Sequence, residues 1–292
     1  MKNTLLTRCH DQFEGESVSF CFLSPHRLSS LILWIIKSTY VGDIKVKSKS
    51  MKFRSTITAL LSIISLLSGC LGLAPTETPI PRIETVSADS PSGTLVIMLP
   101  GRGDRAETFI AQGFHEEGTQ LGFDTLAVDA HFGYYMKRNL LPRLHEDIVL
   151  PARAAGYEKI WLLGVSLGGF GSLLYAAEHS DQIDGVILLA PYLGDEKLAG
   201  EIDARGGLAA WSGEAAGFKD YEIGVWTWLR SAVNSRSGTP IILGYGESDE
   251  SAKAHAVLAG ALEPSSVYTL QGGHNWTIWR PLWKEIAADL EL

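Results

Sequence analysis

KIWLLGVSLGGFGSLLYAAEH, residues 159–179, is the stretch whose reading decides the architecture. Within residues 159–166, positions 160–165 form a continuous apolar run of strand length. Continuous rather than alternating hydrophobicity suits a strand covered on both faces of a parallel sheet. From about 168 to 179 the pattern turns helical. At the join stands Gly164-Val165-Ser166-Leu167-Gly168-Gly169. A serine on so sharp a strand-to-helix turn is forced into a strained backbone conformation, and side chains two positions to either side would collide with it. Glycine at 164 and 168 meets that demand. The helix N-terminus behind Ser166 also favours negative charge developing nearby.

Outward from this stretch the strand pattern recurs. TLVIMLP at 94–100, DTLAVDA at 124–130, GVILLAP at 185–191, PIILGYG at 240–246 and SVYTLQG at 266–272 are short apolar runs that stop at small or turn-forming residues. Helical stretches are expected at about 106–121, 137–155, 168–179, 251–262 and 277–290. Strands alternating with helices predict an α/β fold, a mostly parallel sheet with right-handed crossovers and helices on both faces. The interval 193–237 exceeds a simple crossover and holds Trp211, Trp226 and Trp228, so it is expected to form a small helical insertion beside the C-terminal edge of the sheet.

A serine hydroxyl needs a general base, and the base needs an orienting carboxylate. His274, in Gly272-Gly273-His274-Asn275-Trp276, directly follows the last expected strand, and Asp249 follows the one before it. The chain order Ser166, Asp249, His274 is that of a nucleophile elbow with its acid and base downstream. Glu247 and Glu250 are rival acids, and Asp249 also suits an N-cap of the helix near Ser251. The first backbone donor for an oxyanion is expected at Leu167. The second is expected on the Pro100-Gly101-Arg102-Gly103-Asp104 turn, at Arg102 by resemblance to a His-Gly-x motif, or else at Gly101 or Gly103. His131, Phe132, Tyr134, Tyr135 and Tyr192 follow strands at the ligand-bearing edge and are candidates for a substrate pocket or for packing. Arg102 and Arg105 are candidates for attracting an anion or for solvated charge. Trp276, Trp279 and Trp283 have the spacing of a helix face packed on the sheet. His115, His145, His179 and His255 fall on expected helices and are read as solvated.

On these residues the chain, over roughly 92–292, resembles an α/β-hydrolase. GVSLGGFGSLLYAAEH followed by GGHNWTIW is similar to the esterase family that includes esterase D and feruloyl esterases. The resemblance implies hydrolysis of small acyl esters through an acyl-enzyme, with no metal and no organic cofactor. Val165 stands where that family commonly has histidine, and Pro100 stands where a His-Gly-x motif has its histidine.

The N-terminal region reads differently. Residues 1–69 carry nine of the 25 Lys+Arg and four of the 33 Asp+Glu; with a net charge of −8 overall, the remainder is left at −13. An acidic body of that size repels phosphate backbones, so nucleic acid is not expected as a partner. MKFRSTITALLSIISLLSGC, residues 51–70, has two cations, an apolar stretch too short for a membrane span, and then Leu67-Ser68-Gly69-Cys70. It resembles a bacterial lipoprotein signal peptide in which Cys70 is diacylated, which implies a membrane partner and an envelope location, with the outer membrane favoured because Leu71 rather than Asp follows. Residues 1–50 are then expected to be translated upstream sequence ahead of a start at Met51. Residues 70–92, with four prolines, read as a tether, and Ile80 to Val86 as a possible edge strand. The domain proper is expected at 93–292. All three cysteines lie at or before position 70, which excludes disulfides and cysteine-bound metal beyond it. Other readings of the same residues are a thioesterase, lipase or peptidase of this fold, or a surface lipoprotein that binds without catalysis.

Overall fold

The computed structural model describes residues 74–86, 93–235 and 238–290. The expectations for residues 1–73, the signal segment and Cys70 among them, lie outside the described residues. Seven strands form one sheet: β1 (Arg82–Thr85), β2 (Thr94–Leu99), β3 (Asp124–Val128), β4 (Lys159–Val165), β5 (Gly185–Leu189), β6 (Ile241–Gly246) and β7 (Val267–Leu270). Their order across the sheet is β1-β3-β2-β4-β5-β6-β7. All pairings are parallel except β1 with β3, where Arg82 faces Val128 and Thr85 faces Thr125.

Burial follows from the residues. Every position of β2, β3, β5 and β6 is buried, as is β4 beyond Lys159, whereas the edge strands β1 and β7 are only partly covered. The edge strand expected within Ile80–Val86 is present as β1. Helices cover the sheet: α1 (Ala106–Ala111), α2 (Phe114–Gln120), α3 (Phe132–Met136), α4 (Leu140–Leu144), α5 (Leu150–Ala154), α6 (Leu167–His179), α7 (Glu196–Ala204), α8 (Asp220–Asn234), α9 (Ala252–Ala259) and α10 (Trp276–Asp289). The helix expected over 106–121 is broken in two because Gly113 takes φ +76°, a left-handed conformation that ends one helix and enters the next. The expected 137–155 helix runs from Leu140 to Ala154 with a π-type turn at His145–Val149.

α10 packs on β6 and α2, and α6 packs on β4 and β5. Trp283 is fully buried and stacks on Phe114 at 5.6 Å, its indole N–H donating to the Phe114 carbonyl at 3.2 Å. Trp279 is buried beside it, as its spacing predicts. The insertion after β5 folds as α7 and α8 around Trp211 and Trp226, and the Trp226 indole donates to the Leu193 carbonyl at 2.9 Å. Trp228 is only half-buried.

The register brings the parallel strands to a common edge. Leu99 lies opposite Gly164, Val165 opposite Leu189, Leu189 opposite Gly244, and Gly246 opposite Leu270. The loops bearing Gly101, His131, Ser166, Tyr192, Asp249 and His274 therefore all leave from one side, where ligands bind in open α/β sheets.

Candidate active site

Ser166 sits between β4 and α6 with φ 51° and ψ −112°, a conformation that costs a non-glycine residue about 1–3 kcal/mol. Its surroundings over-determine it. The Ser166 N–H donates to the Leu189 carbonyl at 2.9 Å, and its carbonyl accepts from Tyr192 N–H at 2.9 Å and Phe170 N–H at 3.3 Å. A Cβ on Gly164 would stand 2.3 Å from the Gly168 carbonyl oxygen, and one on Gly168 would stand 2.0 Å from that of Leu99. Backbone therefore packs directly on backbone on both sides of the serine, as the sequence pattern requires.

His274 hangs from the loop between β7 and α10. That loop is tied to the loop bearing Asp249 by Glu247 N–H to the Leu270 carbonyl (2.9 Å) and Ser248 N–H to the Gly272 carbonyl (2.8 Å). A Cβ at Gly246 would lie 2.3 Å from the Gly272 oxygen, so only glycine permits this approach. Asn275 caps α10 by accepting from Thr277 N–H at 3.1 Å, and the Trp279 ring meets the His274 ring edge-on at 4.9 Å.

The three side chains form one relay. His274 Nδ1 is 2.7 Å from Asp249 Oδ2, and His274 Nε2 is 2.9 Å from Ser166 Oγ. An ionised carboxylate only accepts, so Nδ1 carries the proton toward Asp249 and the bare Nε2 faces the serine hydroxyl. The Asp249 side chain is 0% exposed and that of His274 25%. Burial pushes the Asp249 carboxyl up, but hydrogen bonds from His274 and from the Ser251 N–H (2.9 Å), with the positive field of His274 and His255, outweigh it and hold it below the usual carboxylate range. The carboxylate thus serves two partners: Oδ1 holds the start of α9 and Oδ2 holds the imidazole. Of the rival acids, Glu247 is exposed and bonds Thr269 (3.2 Å) and Gln271, and Glu250 is exposed.

Leu167 is the first residue of α6. Across from it, the Gly101–Asp104 turn closes through Asp104 N–H to the Gly101 carbonyl at 3.1 Å. A Cβ at Gly101 would stand 3.6 Å from Ser166 Cβ, which puts this turn beside Ser166. Gly103 takes φ +94°. Neither arginine of the turn is merely solvated. Arg105 makes a two-pronged ion pair with the buried Asp129, and the Arg102 guanidinium lies 4.9 Å over the Phe132 ring.

Two expected pocket residues do other work. The Tyr134 hydroxyl accepts from the Glu77 N–H (2.9 Å) and donates to the Glu77 carbonyl (3.1 Å). His131 Nδ1 accepts from the Gly133 N–H at 3.1 Å, so Nε2 bears the proton that meets the Pro75 carbonyl at 3.1 Å. Both are buried and hold residues 75–77 rather than lining a pocket. Tyr135 donates to the Leu167 carbonyl at 3.0 Å, bracing the turn after Ser166. Tyr192 remains at the site: its N–H holds Ser166, its ring meets Phe170 at 5.6 Å, and its hydroxyl is 3.4 Å from Glu222. Burial, then the nearby Glu222, raises the Tyr192 phenol.

The histidines read as solvated are largely covered. His115 is 4% exposed and paired with Thr125, and burial depresses it to about 4. His255 is fully buried behind Asp249, its Nε2 2.9 Å from the Pro191 carbonyl, and burial lowers it too. His145 and His179 stack at 4.1 Å and are half-buried. Among the described residues no group of three or more His, Cys, Asp or Glu could hold a metal ion, and no helix is long and apolar enough to cross a membrane.

The chain has the α/β-hydrolase fold. The family model for the alpha/beta hydrolase fold matches residues 141–223. Among solved structures, the chain is similar to Est1E from Butyrivibrio proteoclasticus, at 18% identity and TM-score 0.51, over 70% of this chain and 90% of that one. It is also similar to a monoacylglycerol lipase from Paleococcus ferrophilus, at 18% identity and TM-score 0.48, over 72% and 98%. No curated protein matches.

Proposed function

We propose that this chain is a serine carboxylic-ester hydrolase working through an acyl-enzyme. The observation that carries the reading is the hydrogen-bonded line from Ser166 Oγ through His274 to Asp249. His274 Nε2 takes the hydroxyl proton as Ser166 Oγ attacks the ester carbonyl carbon, and then gives it to the leaving alkoxide. Asp249 fixes the imidazole tautomer and steadies the imidazolium. The N–H groups of Leu167 and Arg102, with Gly101 and Gly103 as alternatives for the second, receive the oxyanion. Water then attacks the acyl-enzyme by the same route in reverse.

Cys70 is the proposed lipidation site, preceded by a signal segment at 51–69, and the enzyme is anchored to the bacterial envelope. Replacing Cys70 by Ala should release the protein from membranes or trap an unprocessed precursor without altering turnover of a soluble ester. Ser166→Ala should lower kcat by several orders of magnitude while the fold persists. Retention of more than about a tenth of wild-type kcat would exclude Ser166 as nucleophile. Matched ester, thioester and amide substrates measure which acyl bond is preferred.

A further inference from the structure

The segment ahead of the sheet does not behave as a free tether. Because β1 runs antiparallel to β3, the chain enters β1 from the C-terminal end of β3, the edge that carries Ser166, Asp249 and His274. Residues 74–81 therefore lie along that edge, and they are fastened there. Tyr134 grips both backbone groups of Glu77, His131 holds the Pro75 carbonyl, and Lys137 and Asn139 each reach Thr76 Oγ1 at 3.3 Å. Ile80 is 1% exposed, with its N–H on Asp147 at 2.9 Å, and the Pro81 carbonyl accepts from Asp129 N–H at 2.8 Å.

The arm comes close to the nucleophile. The Ala74 carbonyl oxygen is 2.9 Å from where a Cβ at Gly133 would stand, and two residues on Tyr135 bonds Leu167, the neighbour of Ser166. Only β2 separates β3 from β4, a lateral distance of about 10 Å. A free chain over residues 70–92 could hold a lipid roughly 75 Å from the domain. With the arm docked from Ala74, only three residues intervene before Cys70, and the four steps between them reach at most about 14 Å. The intervening Leu71-Gly72-Leu73 carries no charge.

We propose that the docked arm holds the Ser166 edge against the bilayer, so that the substrates are amphiphilic acyl esters lying in the membrane that carries the anchor. The inference rests on the reading of a lipid-anchored serine esterase. The surface beside the arm fits such a partner. Met136 is 48% exposed at the end of α3, next to exposed Lys137 and Arg138, with exposed Arg102 on the neighbouring turn. Of the acids there, Asp129 is paired with Arg105, Asp104 is half-buried and bonded to Trp276 and Thr108, and Glu77 and Glu107 are exposed. Cations at that edge are notable in a body of net charge −13 and suit anionic headgroups.

The test inserts 20 Gly/Ser residues between Leu73 and Ala74 of the full chain, leaving the docked arm intact while freeing the domain from the surface. Native and inserted proteins, each anchored in vesicles of phosphatidylethanolamine and phosphatidylglycerol, are compared on three readouts: retention on the vesicles, hydrolysis of water-soluble p-nitrophenyl acetate, and hydrolysis of a fluorogenic long-chain ester embedded in the same vesicles. The insertion should leave retention and the soluble reaction unchanged and slow the embedded reaction about fivefold or more, since effective concentration at the surface falls with tether length. An embedded rate equal to the native one overturns the inference. Absence of soluble-ester hydrolysis in the native chain overturns it by removing the esterase. Equal retention of native and Cys70→Ser protein overturns it by removing the anchor.

Discussion

Replacing Gly168 by alanine adds one methyl group at the contact that sets the Ser166 turn against the end of β2. That methyl would stand 2.0 Å from the Leu99 carbonyl oxygen, 2.5 Å from its carbon and 2.8 Å from the Pro100 oxygen. All three are backbone atoms, so no change of rotamer relieves the clash. Ordinary contact requires the start of α6 and the end of β2 to part by roughly 1.5 Å. Alanine inside a helix gains up to about 1 kcal/mol over glycine, while forced overpacking costs about 1–3 kcal/mol or more. A net destabilisation of about 1–2 kcal/mol is expected. Turnover should suffer more, because the same displacement separates Leu167 from the Gly101–Gly103 turn, and a misplacement of about 1 Å can cost about 100-fold. Gly200 is the control: it lies inside α7 with nothing within 4 Å of a would-be Cβ, so alanine there should stabilise by about 0.5–1 kcal/mol without changing activity. Urea denaturation gives the stabilities, and p-nitrophenyl acetate hydrolysis, measured where both variants are folded, gives kcat/KM. A Gly168→Ala protein as stable and as active as the parent would refute the reasoning.

Asp249→Asn should cut kcat on the order of 10⁴-fold by mis-setting the His274 tautomer, whereas Glu247→Gln, at an exposed acid bonded to Thr269 and Gln271, should stay within about threefold; the reverse ranking would move the acid to Glu247. His115, depressed by burial to about 4, is neutral in the folded state while its unfolded counterpart takes up a proton near 6.5. Its contribution is therefore complete above about pH 6.5 and lost as pH falls toward 4, by up to about 3 kcal/mol; the stability difference between wild type and His115→Gln should shrink over that window, and a constant difference would contradict the burial argument. Tyr134→Phe removes both bonds to Glu77 and should destabilise by about 1–2 kcal/mol while hastening proteolysis within residues 74–81; an unchanged cleavage rate would mean the arm is held otherwise.

The strands were legible because burial on both faces writes an unbroken apolar run, as in Thr94–Leu99 and Ile241–Gly246, which no other local structure of that length explains as simply. The sharp turn at Ser166 was legible for a steric reason: Gly164 and Gly168 meet backbone, and no other residue fits. What escaped depends on partners distant in the chain. His131 and Tyr134 do stand at the ligand-bearing edge, but their partners are Pro75 and Glu77, more than fifty residues away, and a proline-rich composition does not reveal that it will dock. His115 and His255 lie on helices as expected, yet sequence position did not disclose that each points inward, to Thr125 and Pro191. The bracing role of Tyr135 left one trace, Gly171, where a Cβ would fall 2.4 Å from its hydroxyl oxygen.

The most direct test of the proposed chemistry is covalent labelling of the folded protein with a fluorophosphonate, followed by peptide mass spectrometry. A serine activated by the His274–Asp249 pair should take up one equivalent of label, on Ser166 alone, and Ser166→Ala and Asp249→Asn should lose the label or slow its uptake by orders of magnitude. Folded wild-type protein that takes up no label, or takes it up at another residue, would contradict the assignment of Ser166 as nucleophile.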